Sequence, residues 1–213
     1  MSILIAALLL QDTLPEPVKG LTVGVRFTDL GGDLDDESAW SDFFDAGIGF
    51  EVGYEYLHPV SKKVHIGGYV RTAFDRFGGD EVDLSDSFGP LHVTPDDMTL
   101  FRLTLGGRIR ETFKTFFMDQ SVGIGFVSIS DVDAEVDDAG AISNVGLIEG
   151  GTEFTVELQA RFGLALSPRA SIWIGFGYEN NGAPEVADDV DDGSFHYNNQ
   201  KNFAFTIGGS FSF

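Results

Sequence analysis

The last thirteen residues of the chain, Lys201–Phe213 (KNFAFTIGGSFSF), alternate strictly between two kinds of side chain. The apolar, largely aromatic parity is Phe203, Phe205, Ile207, Gly209, Phe211 and Phe213. The polar or small parity is Asn202, Ala204, Thr206, Gly208, Ser210 and Ser212. A period of two is that of a β-strand, whose successive side chains point to opposite faces. The sequence therefore predicts that the chain ends on a strand with one apolar face.

Seven earlier stretches repeat this alternation, which predicts an all-β chain of eight strands. The predicted strands are Leu21–Leu30, Ala46–Leu57, Val64–Phe77, Met98–Arg110, Phe116–Ile129, Glu153–Leu166, Ile172–Glu179 and Lys201–Phe213. The fifth fits least well, because Gln120 falls on its apolar parity. The predicted long loops are Gly31–Asp45, Gly78–Asp97, Ser130–Gly151 and Asn180–Gln200, with short turns between them. Long and short connections in strict alternation are typical of an antiparallel up-and-down barrel with its long loops at one end.

The two parities differ in a way that favours a transmembrane barrel. The polar parity combines Arg, Glu and Asp with most of the strand glycines, which suits a crowded interior. The apolar parity is rich in Phe, Leu, Ile and Val and almost free of charge, as a lipid-facing wall requires. The alternative is a soluble, lipocalin-like barrel, in which the apolar parity would point inward. A transmembrane helix is excluded, because the chain has no run of 18 apolar residues.

Aromatic residues near both ends of the predicted strands indicate two interfacial girdles. The long-loop set is Phe27, Phe74, Phe101, Phe126, Phe154, Tyr178 and Phe203. The short-turn set is Tyr54, Tyr56, Phe113, Phe116, Phe117, Trp173, Phe211 and Phe213.

The terminal strand resembles that of bacterial outer-membrane β-barrels, whose assembly machinery reads an alternating strand ending in Phe. By this resemblance Phe203, Phe205, Phe211 and Phe213 would form the assembly signal. As architecture, residues 21–213 resemble the small eight-stranded barrels of the OmpA/OmpX type, without matching the motif of any member. The resemblance implies an integral protein of a Gram-negative outer membrane, in contact with membrane lipids and the assembly machinery. Both chain ends would lie at the periplasmic, short-turn side.

The N-terminus is harder to interpret. Ile3–Leu10 has the length of a signal-peptide core, but no Lys or Arg precedes it and no clear cleavage site follows it. We interpret residues 1–20 as an atypical export signal plus linker and residues 21–213 as the barrel domain. The alternative is a short helix or strand packed in the mature protein.

Charged residues on the polar parity are predicted to form an interior network. Its members are Arg26, Glu51, Glu55, Arg71, Arg102, Arg108, Glu157, Arg161 and Glu179. Because the lumen of an eight-stranded barrel is about wide enough for side chains to fill, we expect these residues to pair and plug the bore. The alternative is a narrow, porin-like path for cations or small solutes along the same residues.

The formal net charge of −21 excludes a nucleic-acid partner, because phosphates would be repelled. The four long loops contain 23 of the 34 acidic residues and no Lys or Arg, whereas Lys62, Lys63, Arg110, Lys114 and Arg169 are assigned to the opposite turns. Solvated loops would explain this, as would a surface for a structural or interaction role whose partner the sequence does not name. Clustered carboxylates also suggest weak Ca²⁺ or Mg²⁺ binding. The candidate ligands are Asp131, Asp133, Asp137, Asp188, Asp189 and Asp191.

No catalytic motif is present. The chain has no cysteine, no H-E-x-x-H, no G-x-S-x-G and no phosphate-binding glycine loop before a helix. Ser194 and His196 are neighbours that a lipid-modifying barrel enzyme could use, but two common loop residues are weak support. The sequence therefore predicts a non-enzymatic protein without a cofactor other than a weakly bound divalent cation.

Overall fold

The computed structural model describes residues 14–32, 39–85, 90–138, 140–187 and 197–213. Eight strands form the barrel: β1 (Val18–Gly31), β2 (Gly47–Pro59), β3 (Val64–Phe77), β6 (Met98–Phe113), β7 (Phe116–Ile129), β10 (Gly151–Ala165), β11 (Ala170–Asn181) and β13 (Lys201–Ser212). Five shorter strands form a second sheet: β4 (Val82–Ser85), β5 (Pro90–Pro95), β8 (Val132–Asp138), β9 (Ala141–Glu149) and β12 (Glu185–Val186). The helix α1 (Trp40–Phe43) follows β1.

The eight long strands close into a barrel in which neighbours along the chain pair antiparallel and β13 returns to β1. The predicted all-β, eight-stranded antiparallel up-and-down barrel is therefore confirmed. Its first strand begins at Val18, three residues before the predicted start, and β6 continues to Phe113. The proposed export signal falls in residues 1–13, outside the described residues, so it stays a prediction.

Alternation along each strand places the apolar parity on the outside of the barrel. On β6, Leu103 and Leu105 are exposed, whereas Arg102 and Thr104, which alternate with them, are buried. The other barrel strands follow the same rule, and their large apolar side chains form a continuous outer belt. Water would strongly disfavour such a belt, whereas a hydrocarbon layer matches it. The lipocalin-like alternative, which needs the apolar parity inside, is thereby excluded. No helix in the described part of the chain is long and apolar enough to span a membrane.

Two aromatic residues assigned to the short-turn girdle lie inside the barrel instead. Phe117 is 7% exposed and Trp173 is 3% exposed. Each ring lies over a glycine on a neighbouring strand, Phe117 over Gly163 and Trp173 over Gly208. The missing side chains of these glycines leave the space that the rings occupy.

The second sheet, in the order β12-β9-β8-β5-β4, corrects our prediction that Gly78–Asp97 and Ser130–Gly151 are loops. In β8 the apolar Val132, Ala134 and Val136 point to one face, and acidic residues alternate with them. A half-buried strand needs only this alternation. The acidic composition of the stretch makes this alternation hard to recognise.

A hydrophobic core lies where the second sheet meets the barrel. Its buried members are Leu30, Trp40, Phe43, Phe44, Phe77, Val93, Met98, Leu100, Val127, Ile129, Val132, Ala134, Ile148 and Tyr197. The Trp40 ring is fully buried, with its centroid 5.6 Å from that of Tyr197 and 6.5 Å from that of Phe44. Because barrel-end side chains and sheet side chains share this core, it covers the long-loop mouth of the barrel. We refer to α1, the second sheet and this core as the cap.

The outer belt predicts a depth-dependent cost for charge. Leu105→Arg places a cation near the middle of β6 on the outer face, where Leu105 is 62% exposed. The substitution should lower the free energy of unfolding in lipid vesicles by about 2–4 kcal/mol, because the guanidinium would enter hydrocarbon. Thr99→Arg, on the same face but at the long-loop end, is the matched control and should cost about 0–1 kcal/mol. Equal costs at the two positions in urea titrations would contradict a lipid-facing wall.

Candidate functional site

The described part of the lumen contains six arginines and six carboxylates, all buried. The arginines are Arg26, Arg71, Arg102, Arg108, Arg110 and Arg161, and the carboxylates are Glu51, Glu55, Asp75, Asp119, Glu157 and Glu179. Because their numbers are equal, the formal charges of this set cancel. We call these twelve residues the lumen network.

Arg26 holds together the long-loop half of the lumen network. Its Nε donates to Asp75 Oδ1 at 3.1 Å, its Nη1 to Glu51 Oε2 at 3.2 Å and its Nη2 to Glu179 Oε1 at 2.8 Å. Arg102 contacts the same Asp75, and its Nε lies 3.1 Å from Glu179 Oε2. A guanidinium presents donors in a fixed planar fork, so it can hold several carboxylates at once.

The lumen network also crosses the full width of the barrel. Arg161 on β10 donates from Nη2 to Glu51 Oε1 on β2 at 2.6 Å, and these two strands lie opposite each other in the eight-strand order. Arg71 on β3 bonds to Glu51 at 2.8 Å and also contacts Glu157 on β10. Tyr69 donates its hydroxyl to the same Glu157. Side chains from opposite walls therefore meet directly in the bore.

In the short-turn half of the network, the arginines contact aromatic rings as well as carboxylates. Arg108 lies 4.5 Å from the centre of the Tyr69 ring, Arg110 lies 4.4 Å from that of Phe117, and Arg161 lies 4.0 Å from that of Trp173. The negative face of an aromatic ring attracts a cation, and most strongly where water is excluded.

Two carboxylates form ion pairs with the arginines of this half. Glu55 accepts a hydrogen bond from Arg108 at 2.5 Å and lies 2.9 Å from Arg110. Asp119 accepts two hydrogen bonds from Arg110, at 2.7 and 2.8 Å. Arg108 and Arg110 are thus paired with Glu55 and Asp119, and Arg161 lies between Glu51 and the Trp173 ring.

The structure places all nine residues of the predicted interior network in the lumen. It adds Asp75, Asp119 and Arg110. The first two share the polar parity of their strands, so the alternation already indicated them. Arg110 was wrongly assigned to a turn: it is 7% exposed on β6, on the same parity as Arg108. Continuing the alternation by one more step would have found it.

Of the predicted metal ligands that the structure describes, Asp131, Asp133 and Asp137 do not form one cation site. Asp131 accepts a hydrogen bond from the Gly150 amide at 2.8 Å, and Asp137 accepts one from the Gly140 amide at 2.7 Å, so both support local backbone. Asp133 is exposed on β8. The remaining candidates, Asp188, Asp189 and Asp191, lie outside the described residues, as do Ser194 and His196.

A different group in the second sheet has the composition of a cation ligand set. Among the described residues, this set consists of Glu81, Asp83 and His92. One ligand atom from each of the three residues lies within 4.8 Å of the other two. His92 Nδ1 contacts Asp83 Oδ1 and lies 3.7 Å from Glu81 Oε1. The side chains of Glu81 and Asp83 are 66% and 78% exposed, so solvent reaches them freely.

The proposed assembly signal lies on the outer face of β13. Phe203, Phe211 and Phe213 are 56%, 55% and 67% exposed. Phe205 is half-buried between Phe27 and Phe176, with ring centroids 6.5 and 5.4 Å away. The strand also closes the barrel, and the terminal amide of Phe213 donates to the Lys19 carbonyl at 3.0 Å.

No family model matches the chain, and neither does any curated protein sequence. Several solved structures share its fold. The outer membrane protease OmpT from Escherichia coli matches with a TM-score of 0.54 and 8% identity, over 95% of this chain and 99% of that chain. Neisserial surface protein A matches with a TM-score of 0.51 and 11% identity, over 93% of this chain and 100% of that chain. A major outer membrane protein from Thermus thermophilus matches with a TM-score of 0.51 and 11% identity, over 92% of this chain and 99% of that chain.

Likeness at these identities concerns the fold, and the fold agrees with the apolar outer belt. Together they define the class of this protein as an integral β-barrel of the bacterial outer-membrane type. The resemblance drawn from its terminal strand is confirmed at that level. Because one of the three structures is named as a protease, the fold alone decides neither for nor against an enzymatic activity.

Removing one member of the lumen network should be far more damaging than removing a surface ion pair. Arg26→Met leaves Glu51, Asp75 and Glu179 without a shared cation, so we expect a loss of about 3–5 kcal/mol in the free energy of unfolding. The control Arg76→Met breaks a pair with Asp97 in which the arginine side chain is 64% exposed, and it should cost less than about 1 kcal/mol.

Urea titrations in lipid vesicles would measure both variants. The double variant Arg26→Met with Glu179→Gln should recover part of the loss, because it removes one of the stranded charges. Similar costs for Arg26→Met and Arg76→Met would show that the lumen network is not what holds the barrel together.

Proposed function

We propose that this protein is a closed, non-conducting barrel of the outer membrane whose acidic cap is its interaction surface. The observation that carries the proposal is the separation of charge. The lumen network is neutral as a set, whereas the connections at the long-loop end contain 23 acidic residues and no Lys or Arg. A barrel built to conduct cations would be expected to continue its acidic surface into the bore.

Three features support a plugged lumen over a narrow channel. The Arg161–Glu51 ion pair joins opposite strands, so direct side-chain contacts cross the bore. The core of the cap covers one mouth with apolar side chains such as Trp40. Phe117 and Trp173 fill the bore near the other end. A hydrated ion would have to break buried pairs, each at a cost of about 3–5 kcal/mol.

Planar-bilayer recordings test the plug. The wild-type barrel should show no steps of reproducible conductance at moderate voltage. The balanced double variant Arg71→Ala with Glu157→Ala leaves the formal charge unchanged while it opens space between β3 and β10, and it should conduct more than the wild type. Regular conductance steps from the wild-type protein would favour the porin-like alternative and contradict the plug.

The cap is proposed as the interaction surface because of how its acids are displayed. On β8, Asp133 and Glu135 face solvent while Val132 and Ala134 point into the core. The register places His92 of β5 between Asp137 of β8 and Asp83 of β4, so acidic side chains recur across the sheet. A concentration of one charge sign attracts opposite charge from a distance and orients its approach. Partners of this surface would be cations or positively charged molecules, held more weakly as salt rises.

Divalent cations are the simplest such partners, and the Glu81, Asp83 and His92 group offers oxygen and nitrogen ligands for them. Millimolar Ca²⁺ should therefore raise the melting temperature more than NaCl of equal ionic strength. Asp83→Asn should reduce this difference, whereas Asp29→Asn, an exposed acid on β1, should leave it unchanged. If Ca²⁺ and Na⁺ at equal ionic strength give the same melting temperature, divalent binding at the cap is wrong.

The terminal strand is proposed to be read by the outer-membrane assembly machinery, through the outward Phe213 and its partners on β13. Phe213→Ala should lower the fraction of folded barrel in bacterial outer membranes several-fold. Phe116→Ala is the matched control, because that ring is similarly exposed, at 63% against 67%, at the same end of the barrel. Without the assembly machinery, the two variants should refold into lipid vesicles with similar yields. Equal folded fractions of the two variants in cells would remove the proposal.

A further inference from the structure

An apolar groove lies on the outer wall of the barrel at the short-turn end. It has a volume of about 490 Å³, spans β7, β10 and β11, and its walls include Phe116, Met118, Phe162, Leu164, Ile172 and Ile174. The register shows why these side chains converge, since Leu164 is paired with Phe116 on one side and with Ile172 on the other. On the outer wall of a membrane barrel, a groove of this kind faces acyl chains.

Two cationic side chains lie at the end of this groove. Lys114 is in the turn between β6 and β7, and Arg169 is in the turn between β10 and β11. These turns are adjacent, because the Ala165 amide donates to the Thr115 carbonyl at 2.7 Å. Both cationic side chains are exposed, and within the described ranges neither has a carboxylate partner. The groove therefore has an apolar body and a positively charged end.

Lys114 occupies this place at a conformational cost. Its φ is +59°. Among the described residues, Lys114 is the one non-glycine residue with a positive φ. A two-residue hairpin turn with a left-handed residue favours Gly or Asn, whose side chains tolerate that region. Backbone strain of this kind tends to be retained where a side chain has a function. The turn therefore keeps a lysine beside the groove although Gly or Asn would suit its backbone better.

We propose that the groove and the two cations form a binding site for one anionic phospholipid from the leaflet at the short-turn end. An acyl chain would lie along the apolar walls, and the phosphate would lie between Lys114 and Arg169. Charge-assisted hydrogen bonds from an ammonium and a guanidinium are the usual partners of a phosphate. The proposal rests on membrane insertion of the barrel, and it is independent of what the cap binds.

Trp173 provides a fluorescent reporter for the site: it lies on β11 between the groove residues Ile172 and Ile174, with its ring on the inner side of the same wall, and it is one of only two tryptophans. The protein carrying Trp40→Phe, so that Trp173 is the sole reporter, is reconstituted in phosphatidylcholine vesicles. A brominated lipid with either a phosphatidylglycerol or a phosphatidylcholine headgroup is then added in increasing proportion. Quenching should occur at a several-fold lower proportion of the brominated phosphatidylglycerol, because only that headgroup is anionic.

Two variants test the headgroup contacts. Lys114→Asn should reduce the preference about fivefold, as expected for one cation at an anionic surface, and should leave the melting temperature unchanged or higher because Asn suits the turn. Arg169→Gln should reduce the preference by a similar factor without altering a strained residue. Lys63→Asn, which removes a charge from the β2–β3 turn of the same end, is the matched control and should change nothing.

The possible results distinguish a failure of the lipid site from a failure of membrane insertion. Equal quenching by both headgroups in the wild type would overturn the lipid site while leaving membrane insertion intact. An equal loss of preference in Lys63→Asn would also overturn it, because the effect would then belong to the whole charged end. If neither brominated lipid quenches Trp173, the groove is either covered by protein, as in a dimer, or outside the membrane, and the site is overturned. The oligomeric state of the protein in the same vesicles tells these last two cases apart.

Discussion

The structure depends on balanced charge in a place that water does not reach. An outer wall of apolar side chains is compatible with lipid only if the charged parity of every strand points inward. An unpaired charge there would be strongly destabilising, so each guanidinium needs carboxylates or ring faces around it. Arg26, bonded to three carboxylates from three other strands, shows how this requirement ties the wall together. The same pairs that neutralise the lumen therefore also specify which strands face one another.

Such a network needs space as well as balance. The bore of an eight-stranded barrel admits side chains and little else, so long arginines fit only where facing positions are small. Gly123 illustrates this: a β-carbon there would collide with the Tyr69 hydroxyl and the Thr104 methyl group. Tyr69 in turn both donates to Glu157 and provides the ring face under Arg108. Glycine, aromatic ring and ion pair thus form one packing solution, and the frequent strand glycines are part of the charge network.

How much of this the sequence could predict follows from the range of each interaction. Alternation is local, so it predicted the strands, their faces and the inward side of Arg102 or Glu157 from neighbouring residues alone. Pairing across the bore is not local: Arg161 and Glu51 are 110 positions apart, and only the closed barrel brings them together. The prediction for the cap was wrong for a different reason. Its β8 alternates correctly, but the acidic residues on the solvent face led us to expect a loop.

The two ends of the barrel have opposite electrostatic character, and the lumen network between them is neutral as a set. Within the described residues, Lys63, Lys114 and Arg169 expose positive charge at the short-turn end, while the cap concentrates acids at the other. A charged, open bore would join these regions through an aqueous path and allow small ions to screen one against the other. If compensated pairs fill the lumen, as we propose, each end meets its own surroundings separately. Phosphate groups suit the basic end, and cations in solution suit the acidic cap. Charge segregation along the axis therefore follows from acids in the long connections and bases in the short turns, and it gives a symmetric-looking barrel two chemically different ends.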